Sequence, residues 1–79
     1  MKKAASARSH HQLRALLRQL RIEAGLRQAD VARRLDEPQS FVSKYESGER
    51  RVTFVDLTRI CGALGLTLAG FVRRWEKSG

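Results

Sequence analysis

Seventy-nine residues can build one domain around one modest core, because a chain this short buries only about 60% of its unfolded surface. A hydrophobic share of 42% is that of a folded protein, and no segment is long or apolar enough to span a bilayer, which sets aside wholesale disorder and a membrane protein. The net charge of +8 favours a polyanionic partner, and it is uneven: residues 1–35 carry nine Lys or Arg against Glu23 and Asp30, whereas residues 36–79 carry seven against six acids.

Residues 1–10 are small and polar and read as a flexible basic N-terminal arm. Met1-Lys2-Lys3 is followed by Ala, Ser, Arg and His rather than by an apolar run, so no secretory signal is expected. Lys2, Lys3 and Arg8 read as a loose tail rather than as groove contacts. Leu13, Leu16, Leu17, Leu20 and Ala24 then mark the buried stripe of a first helix, with Arg14, Arg18 and Arg21 on a neighbouring face. Val31, Ala32 and Leu35 predict a second helix, and Val42 and Tyr45 a third, crossing it steeply through a tight turn. Ala32 is small where one helix backbone passes close to another. Phe54, Leu57, Ile60, Cys61 and Leu64 predict a fourth helix capped by Thr53. Thr67 can cap a fifth, with Leu68, Phe71, Val72 and Trp75 as its apolar residues. Gly25, Gly48 and Gly65 each follow a predicted helix, where a left-handed residue turns the chain away. No strand-like alternation competes. The predicted fold is all-α, a compact five-helix bundle over residues 11–76 with a short tail at 77–79.

The outward residues of the third helix are Gln39, Ser40, Ser43 and Lys44, short polar or basic groups suited to reading base edges in a major groove. Two helices crossing before such a face are a helix-turn-helix. From Leu13 to Val72 the sequence resembles the Cro/repressor (XRE-type) helix-turn-helix family, found in phage repressors and many small bacterial regulators. The resemblance rests on Leu26-x-Gln28-x-x-Val31-Ala32-x-x-Leu35, on Gln39-Ser40-x-Val42-Ser43-Lys44-Tyr45-Glu46-x-Gly48, and on Leu57 through Leu66.

That resemblance implies a lambda-repressor-like domain that binds double-stranded DNA. It implies base contacts from Gln39, Ser40, Ser43 and Lys44, with Gln39 suited to adenine and Lys44 to guanine or to a phosphate. Phe41, an aromatic between them, either touches a thymine methyl or leans back onto the protein. Gln28 is implied as a phosphate contact at the start of the second helix, Arg50 and Arg51 as phosphate contacts in the loop after the third, and Arg21 with Glu46 as a structural ion pair. The chain departs from the family's pattern at the turn, where Asp36 stands for glycine and Glu37 for an apolar residue. Asp36 tolerates the left-handed conformation better than most residues, but the acidic pair has to point away from DNA. Pro38 suits the first turn of the third helix. Arg27, where the family often has a capping Thr or Ser, has no acceptor to offer and is a further candidate phosphate contact.

The remaining residues have plainer roles. Arg14 and Arg18 read as a solvated face. Cys61 shares a helical face with Leu57 and Leu64 and reads as core; a lone cysteine forms no internal disulfide and suits a reducing cytoplasm. His10 and His11, with no Cys, third His or carboxylate cluster, make a poor metal site, so neither metal nor cofactor is expected. No phosphate loop, paired carboxylates or Ser/His/Asp set supports an enzyme. One recognition helix reads few bases, so a homodimeric repressor on a palindromic operator is expected, with half-sites about 34 Å apart. Leu66, Leu68, Phe71, Val72 and Trp75 are the candidate interface. Alternatives are an antitoxin, with Phe71 and Trp75 buried against a toxin partner, and a restriction–modification controller.

Overall fold

In a computed structural model the backbone is described for residues 2–78 and the side chains for residues 9–78. Five helices follow one another: α1 (Lys2–Glu23), α2 (Gln28–Leu35), α3 (Gln39–Ser47), α4 (Phe54–Ala63) and α5 (Leu68–Ser78). There is no strand among the described residues. α2 packs against α3 and α4, α3 against α1, and α4 against α5. The stripe predicted on α1 delivers Leu16, Leu17 and Leu20 to the centre, where they meet Val31, Ala32, Leu35, Val42, Tyr45, Ile60, Cys61, Leu64 and Phe71.

The helix ends follow from local chemistry. Thr53 Oγ1 accepts from the Asp56 N–H at 3.0 Å, while Asp56 Oδ2 accepts from the Thr53 N–H at 3.1 Å, so both orphan donors at the start of α4 are used. Thr67 Oγ1 accepts from the Gly70 N–H at 3.0 Å at the start of α5. α2 begins at Arg27 with half of this device, its backbone N–H donating to Asp30 Oδ2 at 2.8 Å, since Arg27 has no acceptor to return. At the other end of α2, Asp36 takes the left-handed conformation (φ 58°, ψ 44°) and the Glu37 N–H closes onto the Ala32 carbonyl at 3.0 Å. Two arginines then tie helix ends across the fold: Arg59 donates to the Leu35 carbonyl and Arg34 to the Ala63 carbonyl, each at 2.8 Å.

Several expectations change. Ala24, expected on the buried stripe of the first helix, is exposed just beyond the end of α1. Residues 2–10, expected as an arm, continue α1 as helix: Ala4, Ala5, Ala7 and Arg8 are good helix formers and nothing in the segment breaks a helix. The side chains of Lys2, Lys3 and Arg8 lie outside the described residues. Pro38 is the cap residue of α3 (φ −65°, ψ 155°), one position before its first turn. Phe54 is 68% exposed, because α4 turns Asp56, Ile60, Cys61 and Ala63 inward and Phe54 lies roughly 200° around the helix from Asp56. Phe71 is buried in the core and so leaves the set of residues free to face a partner. No single helix among the described residues is long and apolar enough to cross a membrane.

Candidate nucleic-acid interface

The steep α2–α3 pair leaves one face of α3 unburied. Gln39, Ser40 and Lys44 are exposed on it, and Ser43 is half-buried with its hydroxyl donating to the Ser40 carbonyl at 3.2 Å. Phe41 takes the second arrangement open to it. Its ring leans back edge-on against Tyr45, centroids 5.8 Å apart at 80°, with the Arg50 guanidinium 4.6 Å above its centre and that of Arg59 at 6.0 Å. The ring thus anchors α3 to α4 and the loop between them.

The start of α3 is connected to a buried ion pair. Arg21 Nε and Nη2 donate to the two Glu46 carboxylate oxygens at 2.7 and 3.0 Å, and Arg21 Nη1 to the Leu26 carbonyl at 3.0 Å. Both side chains are largely buried, at 12% and 4% exposure. Glu46 Oε1 also accepts from Gln28 Nε2 at 3.0 Å, and Gln28 Oε1 accepts from Gln39 Nε2 at 3.5 Å. Two fixed charges therefore orient an amide on α2, and that amide leans on the first residue of the exposed α3 face. Donor and acceptor directions along this chain are forced, because Arg only donates and an ionised Glu only accepts.

One acid of the turn has its partner inside the protein. Glu37 accepts from Arg59 of α4 at 3.3 Å, so its charge is answered within the protein. Among the candidate phosphate contacts, Arg27 is pinned by both Asp30 oxygens at 3.1 and 3.2 Å, and hydrogen bonds from Arg27 hold the Asp30 carboxyl well below the usual carboxylate range. Arg50 pairs with Asp56 at 3.2 Å. Burial alone would raise the Asp56 pKa, but hydrogen bonds from Thr53 and the Arg50 charge outweigh it and hold the carboxyl low. Arg51 donates instead to His10 Nε2 at 2.8 Å.

Arg14, read from sequence as part of a solvated face, is half-buried. Its guanidinium lies over Gly48, where a Cβ would come within 2.9 Å of Arg14 Cζ, and it donates to His11 Nδ1 at 3.0 Å. Gly48 is also left-handed (φ +92°), so two independent demands disfavour a side chain there. A shallow pocket between α1, the end of α3 and the following loop is lined by His10, Arg14, Gly48, Arg50 and Arg51. Sequence reasoning missed this pocket: its only local sign is the spacing of His10 and Arg14 by one helical turn. Among the described residues no three His, Cys, Asp or Glu gather as a metal site would require. Burial pushes the Cys61 thiol pKa up, as suits a core residue.

A family profile described as a helix-turn-helix domain matches residues 12–71. The chain is similar to a solved XRE-family like protein from Pseudomonas syringae pv. tomato str. DC3000, with 32% identity over 98% of this chain and 94% of that one and a TM-score of 0.89. It shares its fold with the restriction–modification controller protein C.Esp1396I: a point mutant of that protein gives 23% identity, 89% of each chain and a TM-score of 0.83, and the wild type gives 22% identity, 87% and 90% of the chains and a TM-score of 0.82. Comparison with curated protein sequences yields no match. With its helix-turn-helix helices, its exposed α3 face and a family match over most of its length, the chain belongs to the XRE-type helix-turn-helix family of DNA-binding regulators.

Proposed function

We propose that the protein is a cytoplasmic, homodimeric repressor that reads a palindromic operator with the exposed face of α3. The observation that carries this is the link from the buried Arg21–Glu46 pair through Gln28 to Gln39, which pre-orients an amide on the exposed recognition face before DNA arrives. Gln39, Ser40, Ser43 and Lys44 are assigned to base edges. Gln28, Arg51 and the more encumbered Arg27 and Arg50 are assigned to the backbone. Phe41 is assigned to support rather than to a base. The interface falls to half-buried Leu66, Leu68 and Trp75 and exposed Val72, with Phe71 beneath them. Two copies related by a two-fold axis would meet half-sites about 34 Å apart.

Selection of bound duplexes from a random DNA pool, followed by titration of the selected and a random duplex at several salt concentrations, tests this. Gln39→Ala and Lys44→Ala should each weaken the selected duplex by about 1–3 kcal/mol and barely affect the random one. Arg51→Ala should weaken both and lower the salt slope by about one. Identical behaviour of the two classes of variant would sink the assignment. Val72→Glu should yield a monomer by sedimentation and abolish selected-site binding. A restriction–modification controller is the second reading, favoured by the fold shared with C.Esp1396I; it predicts that the selected site lies upstream of the protein's own gene beside an endonuclease gene. A toxin co-purifying on Val72 and Trp75 would mark an antitoxin instead.

A further inference from the structure

Two groups of arginines among the described residues differ in what answers their charge. Arg21, Arg27, Arg33, Arg50, Arg59 and Arg74 each touch a carboxylate. Arg14 and Arg51 line one pocket, and neither has a carboxylate within ion-pair distance among the described residues. Each is bound instead to a histidine ring nitrogen, Arg14 to His11 Nδ1 and Arg51 to His10 Nε2. A guanidinium can only donate, so each ring nitrogen facing it serves as an acceptor in this arrangement. The histidines therefore aim the two arginines without cancelling their charge. Gly48 completes the site, since its missing side chain lets Arg14 lie flat against the backbone at the end of α3. The third arginine of the pocket, Arg50, is answered by Asp56, so the local excess is carried by Arg14 and Arg51.

We propose that His10, Arg14 and Arg51 form a clasp for one phosphodiester of the DNA backbone, at the edge of each half-site beyond the C-terminal end of α3. The inference rests on the DNA-binding reading and adds α1 to the contact surface. A phosphodiester supplies one delocalised negative charge and two acceptor oxygens, matching two planar forks that present donors and lack an anion. The pocket is shallow and open, which suits an oxygen presented by a passing strand and leaves little enclosure for a free ligand. The histidine bonds hold both forks in place before binding, so less side-chain freedom is lost when the phosphate arrives.

The test uses the full chain and the duplex selected from the random pool. Arg14→Gln and Arg51→Gln should each lower the salt slope by about 0.9, which makes them roughly threefold less sensitive than the wild type to a change from 50 to 200 mM salt. Both effects should be the same on selected and random duplexes, and Arg14→Lys should restore the slope. A scan placing a single neutral methylphosphonate at each backbone position should find one position per half-site that weakens the wild type but not Arg14→Gln. Should Arg14→Gln fail to fold, the wild type still decides the matter: the Arg14 Nε–H resonance should shift on binding the intact duplex and not the one neutralised at that position. A selected duplex bound normally by Arg14→Gln, with an unchanged slope, overturns the clasp while leaving DNA binding intact. Failure of the wild type to bind any selected duplex overturns both. Inorganic phosphate alone should not saturate the pocket at physiological salt; saturation there would make it a free-anion site and overturn the DNA assignment.

Discussion

The two ends of α3 are held by opposite means. At its start, Gln39 is reached from a buried ion pair through a run of hydrogen bonds in which every charge is answered, Arg21 by Glu46 and the Glu46 oxygens by Arg21 and Gln28. At its end, Gly48 lies under Arg14 beside Arg51, and there the charge is oriented by histidines and left over. The first arrangement fixes geometry, as discrimination between bases requires. The second keeps a field for a polyanion, which contributes affinity without regard to sequence. On the proposed reading, one short helix separates the two demands along its length.

The largest expected break is at the neutralised end. Glu46→Ala leaves the Arg21 guanidinium largely buried without its partner and should cost about 3–5 kcal/mol of stability, read by urea denaturation. It also frees Gln28, so selected-site affinity should fall beyond what unfolding explains. No single removal at the other end should approach this cost, because the histidine-held arginines there are not a buried charge pair. A loss below about 1 kcal/mol for Glu46→Ala would mean that the pair is solvated in solution and that the start of α3 is not rigidly set.

Gly48→Ala probes the other end. The alanine must hold φ near +92° and displace the Arg14 guanidinium, whose Cζ lies 2.9 Å from the new methyl position. Left-handed backbone alone costs about 1–2 kcal/mol for a residue with a Cβ, and the long Arg14 side chain can swing away. The expected outcome is a midpoint shift of that size together with a flatter salt dependence on every duplex.

How the ends differ in legibility has a physical cause. Val31, Ala32, Leu35, Val42 and Tyr45 repeat at helical spacing, and that period is written in adjacent turns, so the crossing could be read directly. Arg21–Glu46 is open to inference because the family resemblance supplies a pairing 25 residues apart, and in the structure Arg21 Nε donates to Glu46 Oε2 at 2.7 Å. The clasp joins His10 to Arg51 across 41 residues with no motif to announce it. Phe41 was ambiguous because its direction depends on Arg50 and Arg59, which reach it from outside its own helix. The start of α1 was misread because small polar residues suit a tail and a helix equally, and burial, the usual arbiter, is weak there.

The smallest expected effect converts one class of arginine into the other. Asp56→Asn removes the anion that answers Arg50 while keeping the size of the side chain. In the wild type the Asp56 carboxyl is held below its ordinary value by Thr53 and Arg50. Its contribution to stability is therefore fully present above the ordinary carboxylate range and is lost as pH falls through the lowered value. The variant should be less stable by up to about 1 kcal/mol at neutral pH, because the amide oxygen can still accept from the Thr53 N–H but offers Arg50 no charge, and that deficit should shrink as the solution is acidified. Meanwhile Arg50 gains an unanswered charge beside Arg14 and Arg51. Random-duplex binding should tighten and its salt slope steepen by up to about 0.9, with the preference for the selected duplex over random DNA reduced or unchanged. A variant that lost stability without gaining any random-duplex affinity would show that Arg50 stays committed to the Phe41 ring, and that only Arg14 and Arg51 carry the charge at this end of α3.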